Sequence, residues 1–316
     1  MGTSVLLAFP QADQRTGLYI KKAFEQLGCR LIIVDPKIEP GACVPRMTQF
    51  GPNGPDMFLC SRTPALAPIV ANLKRRYPST KFACWNTDGR KSITEFGNEL
   101  MKLFGLMDIM YSVPEGNIQE YVEKAKCKDV KWLPQAMDPD FFNKIPITKE
   151  DHEKYDCDVM FAGDVNWAMH TDRKAWIKKI RQSGVNIKVY GPSTNNYIKN
   201  HEFSKAARCA KISLGRSALV NIATSISVRD YQIMGAGGFL LTNNVKDLHH
   251  LFELNRECVI YMNDDDCVDK IHYYLHHEDE RKKIQETGFK AAHEKHTYKV
   301  RVQQILDDLV VMRGAK

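Results

Sequence analysis

From Ser4 to Leu133 short apolar runs alternate with amphipathic helical periods, and that alternation leaves few folds open. Ser4–Phe9, Arg30–Val34, Asp56–Cys60, Lys81–Trp85, Asp108–Ser112 and Val130–Leu133 read as strands. Gly17–Leu27, Pro64–Arg76, Ser92–Phe104 and Glu115–Lys126 read as helices between them. Strand followed by helix, repeated, demands parallel pairing with right-handed crossovers, so a Rossmann-like domain is expected. No G-x-G-x-x-G follows the first strand, which argues against a dinucleotide there.

Residues 134–156 carry three prolines and a charge run without strand periodicity, and read as an interdomain linker. Beyond it the pattern resumes. Cys157–Ala162, Asn186–Tyr190, Ile212–Leu214, Phe239–Leu241 and Val259–Met262 read as strands, and Thr171–Arg181, Phe203–Cys209 and Cys267–Leu275 as helices. Two further helices are expected over Asp279–His293 and Tyr298–Met312. The last has an apolar stripe of Val302, Ile305, Leu306, Leu309 and Val310 that must be buried somewhere. The expected fold class is α/β, with a first domain over 1–148 and a second over 149–297.

Hydrophobic residues make up 43% of the 316 and charged residues 26%, a globular composition that excludes disorder. The net charge of +7 is spread along helices, as on a solvated basic surface, rather than gathered into one tract. Nine cysteines show no C-x-x-C pair and no zinc spacing, so free thiols in a reducing cytoplasm are expected. No apolar run approaches the roughly 20 residues needed to span a bilayer, so no membrane span is expected.

The segment Ser225–Asn244 reads as loop, short helix, paired glycines and buried strand. Ser227 is a candidate N-cap, and Gly235, Gly237 and Gly238 stop the helix. A helix start presents unpaired N–H groups and partial positive charge, so Ser227 with Arg229 one turn inside can seat a phosphate. Gly163, at the end of the strand Cys157–Ala162, would let a ligand approach the backbone, and Arg173 in the next helix could reach a phosphate. Lys211 and Arg216 flank the strand Ile212–Leu214 and could add charge.

Ser227, Arg229, Tyr231, the run Gly237-Gly238-Phe239-Leu240-Leu241-Thr242, a strand near Tyr261, the helix His272–Leu275, the Glu278-Asp279-Glu280-Arg281 run, His296-Thr297-Tyr298 and Arg301 follow one another in order. This C-terminal stretch, roughly residues 225 to 305, resembles CgeB-like glycosyltransferases, a branch of the two-Rossmann-domain (GT-B) enzymes. The resemblance implies two Rossmann-like domains facing each other across a cleft, with the helix 298–316 crossing back to the first. It implies transfer of a sugar from a nucleotide-sugar co-substrate, a UDP-sugar being common in the wider group, with no bound cofactor. It places the segment from Ser227 to Gly238 against the donor, so Tyr231, Gly237 and Gly238 join the donor residues. Tyr190-Gly191 resembles the base-proximal turn, and Gln232 stands at the ribose position.

Many retaining relatives carry two glutamates eight positions apart, but here Gln232 and Thr224 stand there and no glutamate occurs between Glu202 and Glu253. That favours inversion, in which a base deprotonates the acceptor hydroxyl. Asp88 and Asp13, each in a loop after a parallel strand, are the candidates, and His170 could contact a phosphate or the acceptor. Asp264-Asp265-Asp266 has the D-x-D spelling of metal-dependent transferases, but it opens a helix with Asp266 as N-cap and lies apart from the phosphate loops. No metal is therefore expected. The acceptor is open: a glycan, a protein, a small molecule or a modified DNA base. Two other readings stay open, a nucleic-acid-binding protein and a non-catalytic nucleotide-sugar binder.

Overall fold

The computed structural model describes residues 2–12, 16–90, 92–166, 172–217 and 226–314. They divide into two compact units, one of Met1–Pro134 with Tyr298–Lys316 and one of Gln135–Thr297. The first unit runs β1 (Ser4–Ala8), α1 (Thr16–Gln26), β2 (Arg30–Val34), α2 (Cys43–Thr48), β3 (Met57–Cys60), α3 (Leu66–Arg76), β4 (Lys81–Asn86), α4 (Asn98–Gly105), β5 (Ile109–Ser112), α5 (Ile118–Glu123) and β6 (Val130–Trp132). All pairings are parallel, and the strand order is β2-β1-β3-β4-β5-β6. Every residue of β3 and β5 is buried, as short runs such as Met-Phe-Leu-Cys require when helices cover both faces.

The second unit runs α6 (Lys149–Tyr155), β7 (Cys157–Ala162), α7 (Arg173–Gln182), β8 (Ile187–Tyr190), α8 (His201–Cys209), β9 (Ala210–Leu214), α9 (Val228–Gly235), β10 (Leu240–Asn243), α10 (Leu248–Leu251), β11 (Val259–Tyr261), α11 (Asp264–His276) and α12 (Glu278–Lys295). Its parallel sheet has the order β11-β10-β9-β7-β8. Phe161, Trp176, Ile212, Leu214, Phe239, Leu241 and Tyr261 form the middle of its core. Both sheets are doubly wound, and each reverses its winding next to its first strand: between β1 and β3, and between β7 and β9. Open α/β sheets bind ligands beyond the carboxyl ends of the strands at such a reversal.

The final helix α13 (Tyr298–Gly314) belongs to the first unit and packs on α1, where the Tyr298 and Tyr19 rings stack at 5.4 Å. Val302, Ile305 and Leu309 are buried, but Val310 is 71% exposed. In its place Arg301 is buried and its Nε donates to the Pro134 carbonyl at 3.1 Å. The buried stripe therefore runs one position earlier than apolarity alone suggests.

Two local expectations are corrected. Residues 149–155 of the expected linker form α6, because Thr148 and Asp151 make a capping box at its start. The N-cap of α11 is Asn263, whose Oδ1 accepts from the amides of Asp265 and Asp266 at 3.0 Å, while Asp266 accepts from the Met262 amide. Asparagine can bridge both amides from the cap position, where Asp266, three residues inside, cannot.

The helix α9 ends in a Schellman motif: the Gly238 amide donates to Ile233 O and the Gly237 amide to Met234 O, both at 2.9 Å. Gly237 has φ of +79°, and a Cβ there would stand 2.9 Å from the Lys144 side chain. Gly237→Ala is expected to destabilise the protein by about 1 kcal/mol and Gly237→Val by more, since a β-branched residue resists positive φ. Urea unfolding midpoints measure the loss, and an unchanged midpoint for both variants would remove the backbone constraint.

Candidate functional site

At the reversal between β7 and β9 the strand ends crowd together. The Gly163 amide donates to Tyr190 O at 2.7 Å, and a Cβ on Gly191 would stand 2.4 Å from the Gly163 carbonyl oxygen. A Cβ on Gly163 would meet Arg229 Nη2 at 2.7 Å. Glycine at both positions is what lets β7, β8 and the Arg229 side chain share this space.

Three arginines converge there, from α7, the end of β9 and the first turn of α9. Arg216 is buried, its guanidinium 4.6 Å from the Trp176 ring centroid, and ion-paired to Asp172 at 2.5 Å and Asp264 at 2.8 Å. Burial alone would lower its pKa, but Tyr261, Asp172 and Asp264 outweigh that and hold it above the usual arginine value. Its carbonyl oxygen faces the other two, accepting from Arg173 Nη2 at 3.0 Å and Arg229 Nη1 at 3.2 Å. Arg173 also donates to Asp164 O at 2.7 Å, and both guanidiniums lie over the Phe161 ring, at 5.3 and 4.8 Å.

Neither Arg173 nor Arg229 is ion-paired to a carboxylate among the described residues. Burial, then the charge of Arg229, push Arg173 down to about 9, and its buried Nε has no partner among the described residues. Burial likewise lowers Arg229, with Asp230 and Tyr261 opposing, although the residue as a whole is only half-buried. Asp172 beside Arg173 and Asp230 beside Arg229 oppose these shifts only in part, and two like charges side by side in a low dielectric raise the energy of the site. An anion beside Arg229 would lower it.

Further polar groups surround this pair. Ser227 caps α9, its Oγ accepting from the Arg229 amide at 3.3 Å, and Gln232 lies one turn on, on the same helical face as Arg229. Asp230 is fully buried and pushed up to about 6 by burial, against Arg229 and the Thr242 hydroxyl that donates to it at 3.0 Å. Ser217 Oγ and Asn243 Nδ2 are buried without partners among the described residues, although the Ser217 amide donates to Asn243 Oδ1 at 2.7 Å. Asp230, Ser217 and Asn243 were not apparent as site residues. Gly215, the residue after β9, was their one signal: a Cβ there would stand 2.5 Å from Asp230 Oδ1.

The structure therefore brings together Gly163, Arg173, Gly191, Arg216, Ser227, Arg229 and Gln232. It does not bring in the rest. Lys211 is the second residue of β9, roughly 10 Å of strand from its carboxyl end, and pairs with Asp158 at 2.8 Å. Gly237 and Gly238 stand at the far end of α9, about 12 Å from Ser227, where they stop the helix. Tyr231 is fully buried, its ring 5.6 Å from both Phe252 and His296. The Tyr190 ring packs 6.3 Å from Tyr155 and lines a separate cavity of about 530 Å³ with Arg181, Lys188 and Tyr197. Only its backbone reaches the strand ends.

Asp264 does not lie apart from the phosphate loops, since it pairs with Arg216, whose own loop ends β9. Asp265 pairs with Lys179 at 2.5 Å and Asp266 with Lys270 at 2.8 Å, so each carboxylate of the run already faces a cation. In the first unit Asp88 follows β4 and is ion-paired to Arg62, while Asn86 Nδ2 donates to the Asp88 carbonyl at 2.9 Å. Asp13, His170 and Thr224 lie outside the described residues.

No curated protein matches the chain in sequence. The model of a family described as "Glycosyl transferase-like" matches residues 173–307. Among solved structures, the chain is similar to a glycosyltransferase from Rickettsia africae ESF-5, with a TM-score of 0.69 and 13% identity over 100% of each chain. An Anabaena protein in complex with UDP and glucose gives 0.65 at 10% identity, over 98% of this chain and 100% of that one. An α-glucosyltransferase in complex with UDP-glucose and DNA containing an abasic site gives 0.67 at 10% identity, over 98% of this chain and 99% of that one. At these identities the likeness is one of fold: α/β with two parallel sheets, as in GT-B glycosyltransferases. Among the described residues no helix is long and apolar enough to cross a membrane.

Inorganic pyrophosphate is expected to raise the melting temperature by relieving the repulsion between Arg173 and Arg229. In Arg229→Met the rise is expected to vanish while the unliganded Tm holds or increases, because one of two like charges is gone. A Tm that falls several degrees without ligand would instead make Arg229 a structural residue.

Proposed function

We propose that the chain transfers a sugar from a nucleotide-sugar to an acceptor, with the donor's diphosphate seated at Arg229. The observation that supports this reading is the pair Arg173 and Arg229, neither ion-paired to a carboxylate among the described residues, set where β7 and β9 reverse the winding. Arg229 is the less buried of the two and takes the phosphate bidentately. Arg173, behind it, adds field and holds the Arg216 carbonyl in place. Gln232, a turn along α9, offers both donor and acceptor to a ribose. The donor is a UDP-sugar, as the ligands of the Anabaena protein and of the α-glucosyltransferase suggest.

The reaction is a single inverting displacement without a metal. The missing glutamate pair supports inversion, and the commitment of Asp264, Asp265 and Asp266 to cations supports the rest. Asp88 is the base, taking the acceptor hydroxyl proton as the oxygen attacks the anomeric carbon and the nucleoside diphosphate leaves. Protonation neutralises the Asp88 side of its ion pair with Arg62. A nucleic-acid acceptor is a second reading, favoured by Arg62 and Arg90, which lie over the Phe96 ring at 5.6 and 5.3 Å. Duplex binding that weakens steeply with salt would support it.

A thermal-shift panel of UDP, GDP, ADP and TDP with their sugars identifies the donor, UDP being expected to shift most. Binding without transfer or donor hydrolysis would indicate a non-catalytic binder, and no shift with any nucleotide would overturn the reading. Asp88→Asn is expected to keep the donor-induced shift while transfer, or donor hydrolysis without acceptor, falls roughly a hundred- to ten-thousand-fold. A near-normal rate would pass the role to Asp13.

A further inference from the structure

At the amino-terminal ends of β7 and β9, away from the arginines at their carboxyl ends, three side chains of different chemistry meet. Asp156 immediately precedes β7 and Cys209 immediately precedes β9, and the next residues of each, Cys157 and Ala210, are in direct register. Strand pairing itself therefore sets Asp156 beside Cys209. His152, one helical turn before Asp156, places Nδ1 2.8 Å from Asp156 Oδ1. One ring nitrogen of His152, one carboxylate oxygen of Asp156 and Cys209 Sγ all lie within 4.8 Å of one another.

We propose that His152, Asp156 and Cys209 form a binding site for a divalent cation of the zinc class, with a fourth position open to water. A sulfur and an imidazole nitrogen select Zn²⁺ over Mg²⁺ or Ca²⁺, which want oxygen ligands only. Tetrahedral zinc with bonds of roughly 2.0–2.3 Å holds its ligand atoms roughly 3.5 Å apart, so the widest gap must close by about 1 Å. His152 and Asp156 side chains are 57% and 56% exposed and free to turn that far.

The metal binds the Cys209 sulfur as a thiolate and His152 through a ring-nitrogen lone pair, so the thiol proton is released to solvent on binding. Cys209 Sγ otherwise makes only a long contact to the Asp151 carbonyl at 3.8 Å, which the metal would displace. The bound ion would tie the end of α6 to the end of α8, bracing the entry into the second sheet rather than taking part in the transfer.

Cobalt(II) titrated into the full chain tests this directly. One equivalent is expected to give a thiolate-to-cobalt charge-transfer band that Zn²⁺ abolishes by displacement. In Cys209→Ser the band should disappear. His152→Ala should bind at least about tenfold more weakly, since loss of even an outer-shell partner costs ten- to a hundredfold. Neither substitution disturbs the core, and the unliganded Tm of each variant checks that. No charge-transfer band, or one that persists in Cys209→Ser, would overturn the site.

Discussion

The second unit depends on one buried residue. Arg216 sends its guanidinium to Asp172 before α7 and to Asp264 at the start of α11, lies over Trp176 of α7, and lends its carbonyl to arginines from α7 and α9. Three helices and a strand end are thereby fixed to a single peptide. Taking a guanidinium out of water costs several kcal/mol, and only a partner set this complete repays it. The side chain is neutralised, so its positive charge is not what a ligand meets. Its role is positional: its carbonyl sets two other arginines side by side, neither ion-paired to a carboxylate among the described residues.

That arrangement inverts the usual logic of a stable core. Ion pairs hold most charges elsewhere in the unit, whereas burial, and for Arg173 the neighbouring charge of Arg229, disfavour the charged forms of this pair. Their proximity is enforced by glycines at 163 and 191, which leave room for no side chain, and by Phe161, whose ring face lies under both guanidiniums. Such a site is held open by the scaffold rather than by its own contacts.

Much of the fold was legible because periodicity speaks directly to strand and helix. The strands of both sheets were found within a residue or two, since buried parallel strands are short apolar runs between helices. The Schellman glycines were legible as a helix stop, but their end of the helix was not, because spacing along a sequence does not say which end of an element faces a ligand. Lys211 failed for the same reason. Tyr190 and Tyr231 have side chains large enough for a site or a core, and composition could not choose. Asp230, Ser217 and Asn243 were hidden because their importance comes from being buried without full partners, a property of packing alone.

The chain leaves the first unit at Pro134 and returns at Tyr298. Met137 and Thr297 form an isolated parallel bridge, and the Met137 amide donates to His296 O at 3.0 Å, so the second unit closes on itself at its own entrance. The stacking of Tyr19 on Tyr298, by contrast, joins residues almost a chain length apart. During synthesis the second unit can therefore form as soon as its own residues emerge, while the first unit's sheet receives α13 only once the whole chain has been made. Once the second is closed, it spans the gap as a short clasp instead of a long loop, and the entropic cost of bringing α13 onto α1 falls accordingly.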